Sequence, residues 1–168
     1  MPPTSVLAIT DPTARDLASA AGIWARATAR RDDLDTPEPW ERKLAGITAR
    51  LASPGAVLFV ATGSHGPTGF AVAAPEGPRG ELSYLAVDPR AWGRGTAATL
   101  LAEVERWAAT LGLDQLALWV LADNTRAHDV YARNGWVSTG ERQHAAPSGR
   151  RERRLTLALA GRPTRSRS

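Results

Sequence analysis

The run Val87–Ala97, VDPRAWGRGTA, constrains this chain more than any other. An apolar strand ends, Pro89 blocks its continuation, two glycines stand at 93 and 95, and a helical stripe begins. Glycine lets the backbone approach a ligand closely. The free N–H groups at the start of the following helix attract anions through hydrogen bonds and partial positive charge. The run has no Gly-Lys-Ser/Thr of a P-loop and no third glycine of a dinucleotide fingerprint, so neither nucleotide site is indicated. On spacing alone it is either a phosphate cradle or a plain strand-to-helix turn.

The elements around it alternate between helical and strand patterns. Val6–Thr10 reads as a short first strand. Asp11-Pro12 then gives a cap followed by proline, and Leu17, Ala21 and Trp24 predict a helix over 12–30. After a charged linker, Thr36-Pro37 repeats the signal, and Trp40, Leu44, Ile47 and Leu51 mark a second apolar stripe. Ala56–Thr62 and Thr68–Ala74 are strand-like and flank a hairpin loop at 63–67. A second turn at 75–80 precedes the strand Glu81–Asp88. Beyond the glycines, Ala97, Leu100, Leu101, Val104, Ala108 and Leu111 form a helix stripe closed by Gly112. Gln115–Leu121 is almost continuously apolar, as in a strand covered on both faces. A short helix follows over 124–134, with Asp123 expected as its cap and Gly135 as its stop. Two last strands are expected at 136–141 and 153–159. Three antiparallel-type strands before a strand–helix–strand crossover predict one α/β domain. Its mixed sheet has about six to seven strands, with helices on both faces. The domain is expected over residues 1–160, and 161–168, GRPTRSRS, reads as a disordered basic tail.

Composition narrows the chemistry. The 168 residues include no cysteine, which excludes disulfides, thiolate metal sites and a cysteine nucleophile. Three histidines, at 65, 128 and 144, show no metal-ligand spacing, so no metal is expected. No apolar run approaches the ~20 residues of a membrane helix, and the start has no signal-peptide pattern. A cytoplasmic protein with no membrane partner is expected. The isoelectric point near 10.5 invites a nucleic-acid reading. However, residues 1–80 carry no net charge, 81–141 carry −3 and 142–168 carry +7. The basicity belongs to the chain's end, and no recognition motif or aromatic platform accompanies it. No specific nucleic-acid partner is therefore expected.

A second constellation is Asn124, Ala127, Tyr131, Gly135 and Trp136. Asn124 and Tyr131 are seven apart and share one helix face. The tyrosine either aims its hydroxyl into a cleft or packs the helix as a half-buried aromatic.

Together the two constellations resemble the GNAT superfamily of N-acetyltransferases. Its Arg/Gln-x-x-Gly-x-Gly/Ala loop matches Arg90-Ala91-Trp92-Gly93-Arg94-Gly95, and its Asn-x-x-Ala-x-x-x-Tyr-x-x-x-Gly-aromatic pattern matches Asn124 to Trp136. Trp92 departs from the polar residue often found before the first glycine. The resemblance is strong over 81–136 and extends to the whole chain in element order.

The resemblance implies an acetyl-CoA site and an N-acetyltransferase acting by direct attack of an amine. It places the pyrophosphate on the amides of Gly93, Arg94, Gly95, Thr96 and Ala97. The pantetheine arm runs along the Leu85, Ala86 and Val87 main chain, and the Leu85 amide polarises the thioester carbonyl. Asn124 faces the pantetheine, Tyr131 protonates the departing thiolate, and Arg90 and Arg94 either reach phosphates or stay solvated. Trp92 belongs to the same loop. Glu81 has the spacing to Leu85 of a strand glutamate acting as base, or is a solvated edge residue. His144 is a weaker base candidate, and His128 is expected to face solvent or the CoA. The acceptor side maps to Trp24, Arg26, Arg30, Arg31, Asp32, Asp33, Asp35, Trp40 and 142–151. Its aspartates suit a cationic amine and its basic loop suits an acidic group, or both are solvated surface. The expected acceptor is a small-molecule primary amine. The alternatives are a protein or peptide amine, such as a ribosomal-protein N-terminus, and a non-catalytic acyl-CoA-binding regulator. A homodimer is compatible with the sequence.

Overall fold

A computed structural model describes residues 4–159. In chain order they form β1 (Ser5–Ile9), α1 (Ala14–Arg31), α2 (Glu41–Leu51), β2 (Val57–Gly63), β3 (Gly66–Glu76) and β4 (Arg79–Val87). A 3-10 turn (Pro89–Ala91) then leads to α3 (Thr96–Thr110), β5 (Gln115–Leu121), α4 (Thr125–Arg133), β6 (Val137–His144) and β7 (Arg151–Ala158). The expected tail at 161–168 lies outside the described residues.

The seven strands make one sheet in the order β1-β2-β3-β4-β5-β7-β6. Every neighbouring pair is antiparallel except β4 and β5, which run parallel. That pairing lasts only from Arg79 to Glu81 on β4, opposite Gln115 to Ala117 on β5. Beyond Glu81 the two strands separate and the sheet splits. A bulge helps to turn β4: Leu82 faces Ala73 and Tyr84 faces Val72, so Ser83 has no partner on β3.

Both faces of the sheet are covered, which is why β2 and β5 are apolar almost throughout. Val57, Phe59 and Ala61 of β2 pack with Leu100, Leu101 and Val104 of α3 and with Leu116 and Leu118 of β5. The alternate residues Leu58 and Val60 pack with Ala20, Ala21 and Ile23 of α1 and Ile47 of α2. Each buried Val, Leu, Ile or Phe among them contributes about 1.5–3 kcal/mol. α4 joins the α3 face through Ala127, Val130 and Tyr131.

Three caps differ from the sequence expectations. α1 is capped by Thr13 rather than Asp11, because Thr13 and Asp16 form a reciprocal capping box. α2 begins at Glu41, without a side-chain cap, rather than after Thr36. Pro39 explains the delay, because the residue before a proline is kept out of the helical region. α4 is capped by Asn124, whose Oδ1 accepts the Ala127 N–H at 3.2 Å, and not by Asp123.

Candidate active site

The split between β4 and β5 opens a cleft of about 700 Å³, lined by α1, the end of β4, the start of α3 and the start of α4. Its position follows from the ladder. The Asp88 N–H donates to the Thr68 carbonyl at 2.7 Å, beside the Val87–Gly69 pair. The alternation of an antiparallel ladder then turns the polar groups of Leu85 and Val87 away from β3, towards the strand that has moved off. The Val87 carbonyl is taken by the Trp92 indole N–H at 2.8 Å. Among the described residues, no neighbouring strand pairs with the Leu85 N–H and carbonyl or the Val87 N–H, which form an edge on the cleft, and Leu85, Ala86 and Val87 all line it.

The loop after β4 forms the next wall. Gly93 and Gly95 have φ of 75° and 78°, a region L side chains adopt only at a cost of about 1–2 kcal/mol. A Cβ at either would meet nothing within 4 Å, so conformation and not space requires glycine. The first helical bond of α3 runs from Thr99 N–H to the Gly95 carbonyl. The amides of Thr96, Ala97 and Ala98 are therefore without helical acceptors, and these three residues line the cleft with Gly93 and Gly95.

The arginines are arranged less simply. Arg90 donates through Nε and Nη2 to Asp88 at 3.2 and 3.0 Å, and Arg26 donates to the same carboxylate through Nε at 3.0 Å. Burial acts to raise the pKa of Asp88, but its bonds with Arg90 and Arg26 outweigh it and hold the carboxyl below its ordinary range. Arg90 is thus paired with Asp88 and, like the exposed Arg94, lies outside the cleft walls. Among the arginines that line the cleft, Arg126 is the one stacked on this loop, 4.0 Å over the Trp92 ring. Sequence reasoning missed it, because its partner lies on another element and no local signal marks it.

Asn124 and Tyr131 share the opposite wall, as their spacing suggested. Tyr131 is buried against Trp136, with ring centroids 5.6 Å apart, and its hydroxyl has no hydrogen-bond partner among the described residues. Burial pushes the phenol pKa well above its ordinary value, so the group keeps its proton. From α1, Trp24 lines the cleft and packs edge-on against Tyr84 at 4.1 Å.

Glu81 stands where the strands part, but outside the cleft wall. Both of its oxygens accept from the buried guanidinium of Arg154, at 2.6 and 2.8 Å. Arg154 lies 5.0 Å over the Trp119 ring. His128 does not face the cleft; its Nε2 donates to the Leu121 carbonyl at 3.1 Å. His144 lies exposed at the end of β6. No group of three or more potential metal ligands gathers among the described residues, and no described helix is long and apolar enough to cross a membrane.

A mixed sheet split between parallel strands, with a free backbone edge on one side and an anion-ready helix start on the other, is the arrangement that the resemblance to the GNAT superfamily implied. Residues 24–136 match the model of the acetyltransferase (GNAT) family, and the chain belongs to that family. It is 34% identical over 131 residues to a mycothiol acetyltransferase of Clavibacter michiganensis. That match covers 76% of this chain and 41% of the relative, so the chain spans less than half of the relative's length. The fold resembles the ribosomal-protein-S18-alanine N-acetyltransferase of Escherichia coli, with a TM-score of 0.74 at 19% identity, covering 99% of this chain and 100% of that one. It also resembles the PaiA N-acetyltransferase of Thermoplasma acidophilum, solved with coenzyme A, with a TM-score of 0.68 at 16% identity over 92% and 99% of the two chains.

Proposed function

We propose that this acetyltransferase moves the acetyl group of acetyl-CoA to the primary amine of a small molecule, by direct attack. The observation that carries the reading is the cleft itself: one continuous space joins the free edge of β4, the glycine loop and the Tyr131 wall. The sequence relative bears the name of mycothiol rather than of a polypeptide, which favours a small acceptor.

In this reading the amides of Gly93, Arg94, Gly95, Thr96 and Ala97 hold the pyrophosphate, and Arg126 adds a positive charge beside them. The backbone of Leu85 and Val87 pairs with the pantetheine arm as an added strand, and the Asn124 side-chain NH₂, which its cap leaves free, faces the same arm. The Leu85 N–H donates to the thioester carbonyl as negative charge develops there. The acetyl carbon gains a bond to the amine nitrogen and loses its bond to sulfur. The Tyr131 hydroxyl donates the proton that the departing thiolate needs. Retention of this hydroxyl favours an enzyme over a non-catalytic acyl-CoA binder. Glu81 is the base of the proposal. Arg154 occupies both of its oxygens, so the amine's proton reaches it by way of a water, on lone pairs that face away from the guanidinium.

The test is an acceptor screen of amines and peptides that follows thiol release from acetyl-CoA. The chain has no cysteine, so every free thiol that appears is CoA. Turnover with small amines supports the reading. Turnover confined to polypeptide amines overturns its acceptor, and no turnover with any amine overturns the transferase reading.

A further inference from the structure

Three segments far apart in sequence meet beside the cleft. Arg150, in the loop between β6 and β7, donates through Nη1 to both carboxylate oxygens of Asp32, at 3.1 and 3.3 Å. Its Nη2 donates to both oxygens of Asp123, at 3.3 and 3.3 Å. Asp32 follows the last turn of α1 and is gripped there by Arg31 through Nε and Nη2, at 2.9 and 2.8 Å. Arg31 and Asp123 both line the cleft, from opposite walls. One planar guanidinium therefore bridges the α1 wall to the α4 wall, a fork geometry that lysine cannot reproduce. The loop that carries it is itself held in shape, with Ala145 N–H bonded to the Arg150 carbonyl at 2.8 Å and Gly149 N–H to the Ala145 carbonyl at 2.7 Å.

The bridge has a definite side. The glycine loop opens into α3, on one face of the sheet, whereas α1 covers the other face. A ligand threading the split has its phosphates at the α3 face and its reactive end towards the α1 face. The bridge joins Asp32, at the end of α1 on that second face, to Asp123, which leads into α4. Bonds from Arg31 come first among the causes that hold the Asp32 carboxyl at about 2, against its desolvation and with further help from Arg150. Asp32 and Arg150 are therefore both charged at neutral pH.

We propose that Arg150 is a specificity-determining residue of the acceptor side: its double ion pair bars the α1-face mouth, so that the thioester is reached end-on by a slender primary amine and not by a residue carried on a folded polypeptide. This rests on the reading that acetyl-CoA occupies the cleft. Arg150 touches neither the glycine loop nor the β4 edge, so its removal opens the mouth and leaves CoA affinity in place.

Because the chain has no cysteine, the thiol of bound CoA is the only thiol in the sample and reports on the mouth directly. Calorimetry with CoA comes first, on wild type, Arg150→Ala and Asp32→Asn. If wild type does not bind CoA, the cofactor reading falls and this inference falls with it. With protein far above the dissociation constant, the CoA thiol is then alkylated by iodoacetamide or by fluorescein maleimide. Wild type admits the small reagent and slows the bulky one. Arg150→Ala raises the bulky rate about tenfold, as the loss of weak exposed ion pairs allows, with the small rate unchanged. Asp32→Asn gives a smaller rise and serves if Arg150→Ala does not fold. An equal ratio of bulky to small rates in wild type and in both variants overturns the proposal.

Discussion

The cleft has two halves that are built by different means. The half proposed to hold CoA consists of two short contiguous runs, 85–97 and 124–136, and offers mainly main-chain groups: the free edge of Leu85 and Val87 and the unbonded amides at the start of α3. The half proposed to admit the acceptor is held by side-chain ion pairs between residues 73 and 118 positions apart, namely Glu81–Arg154 and Asp32–Arg150. A site made from backbone geometry is written locally, in glycines, prolines and caps. A site made from paired charges is written only in the tertiary structure, and its members look like solvated surface until the fold brings them together.

The comparison can be broken at either half. The largest effect is expected at Tyr131, where Tyr131→Phe keeps the ring against Trp136 and removes only the hydroxyl. Turnover should fall by roughly 10²–10⁴, with acetyl-CoA affinity nearly unchanged in a binding titration. Near-full turnover, with chemistry shown to be rate-limiting, would make the tyrosine a packing residue.

Next in size is the acceptor half's buried pair. Glu81→Gln leaves the Arg154 guanidinium buried without its counter-charge, which costs about 3 kcal/mol in denaturant unfolding. Glu81→Gln combined with Arg154→Met should recover most of that stability without recovering turnover. The turnover loss of Glu81→Gln should be largest at neutral pH and shrink at high pH, where the amine deprotonates unaided. An equal loss at every pH moves the base role elsewhere.

The smallest effect is at Asp32. Its carboxyl is held at about 2 against an ordinary 3.8. A depressed value stabilises the fold above the ordinary value and is lost as pH falls through about 2. The stability difference between wild type and Asp32→Asn should be flat at neutral pH, below about 1 kcal/mol for so exposed a pair. It should vanish between pH 3.8 and about 2. A difference that varies around pH 6 would contradict the ion-pair account.

The same division explains what was legible in the sequence. β5 lies at Gln115–Leu121, as its unbroken apolar run predicted, because a strand buried on both faces admits little else. The glycines at 93 and 95 stand at the two positive φ values of the loop, and the Asn124–Tyr131 spacing placed both on one wall. Asp123 and Asn124 are equally good caps by type, and only the bond to Ala127 separates them. Arg90 matches a family loop position that can reach phosphate, yet Asp88, two residues earlier, claims it. Arg126 and Arg154 carried no signal at all, since each takes its role from an aromatic ring or a carboxylate on a different element.

The central claim is that the glycine loop binds the CoA phosphates, and calorimetry with CoA on wild type and Gly93→Asp tests it most directly. At φ 75° an aspartate is strained, and it brings a like charge into the cradle. The account predicts saturable one-to-one binding by wild type and a severe loss in a variant that still folds. No binding by wild type, or equal affinity in the folded variant, would contradict it.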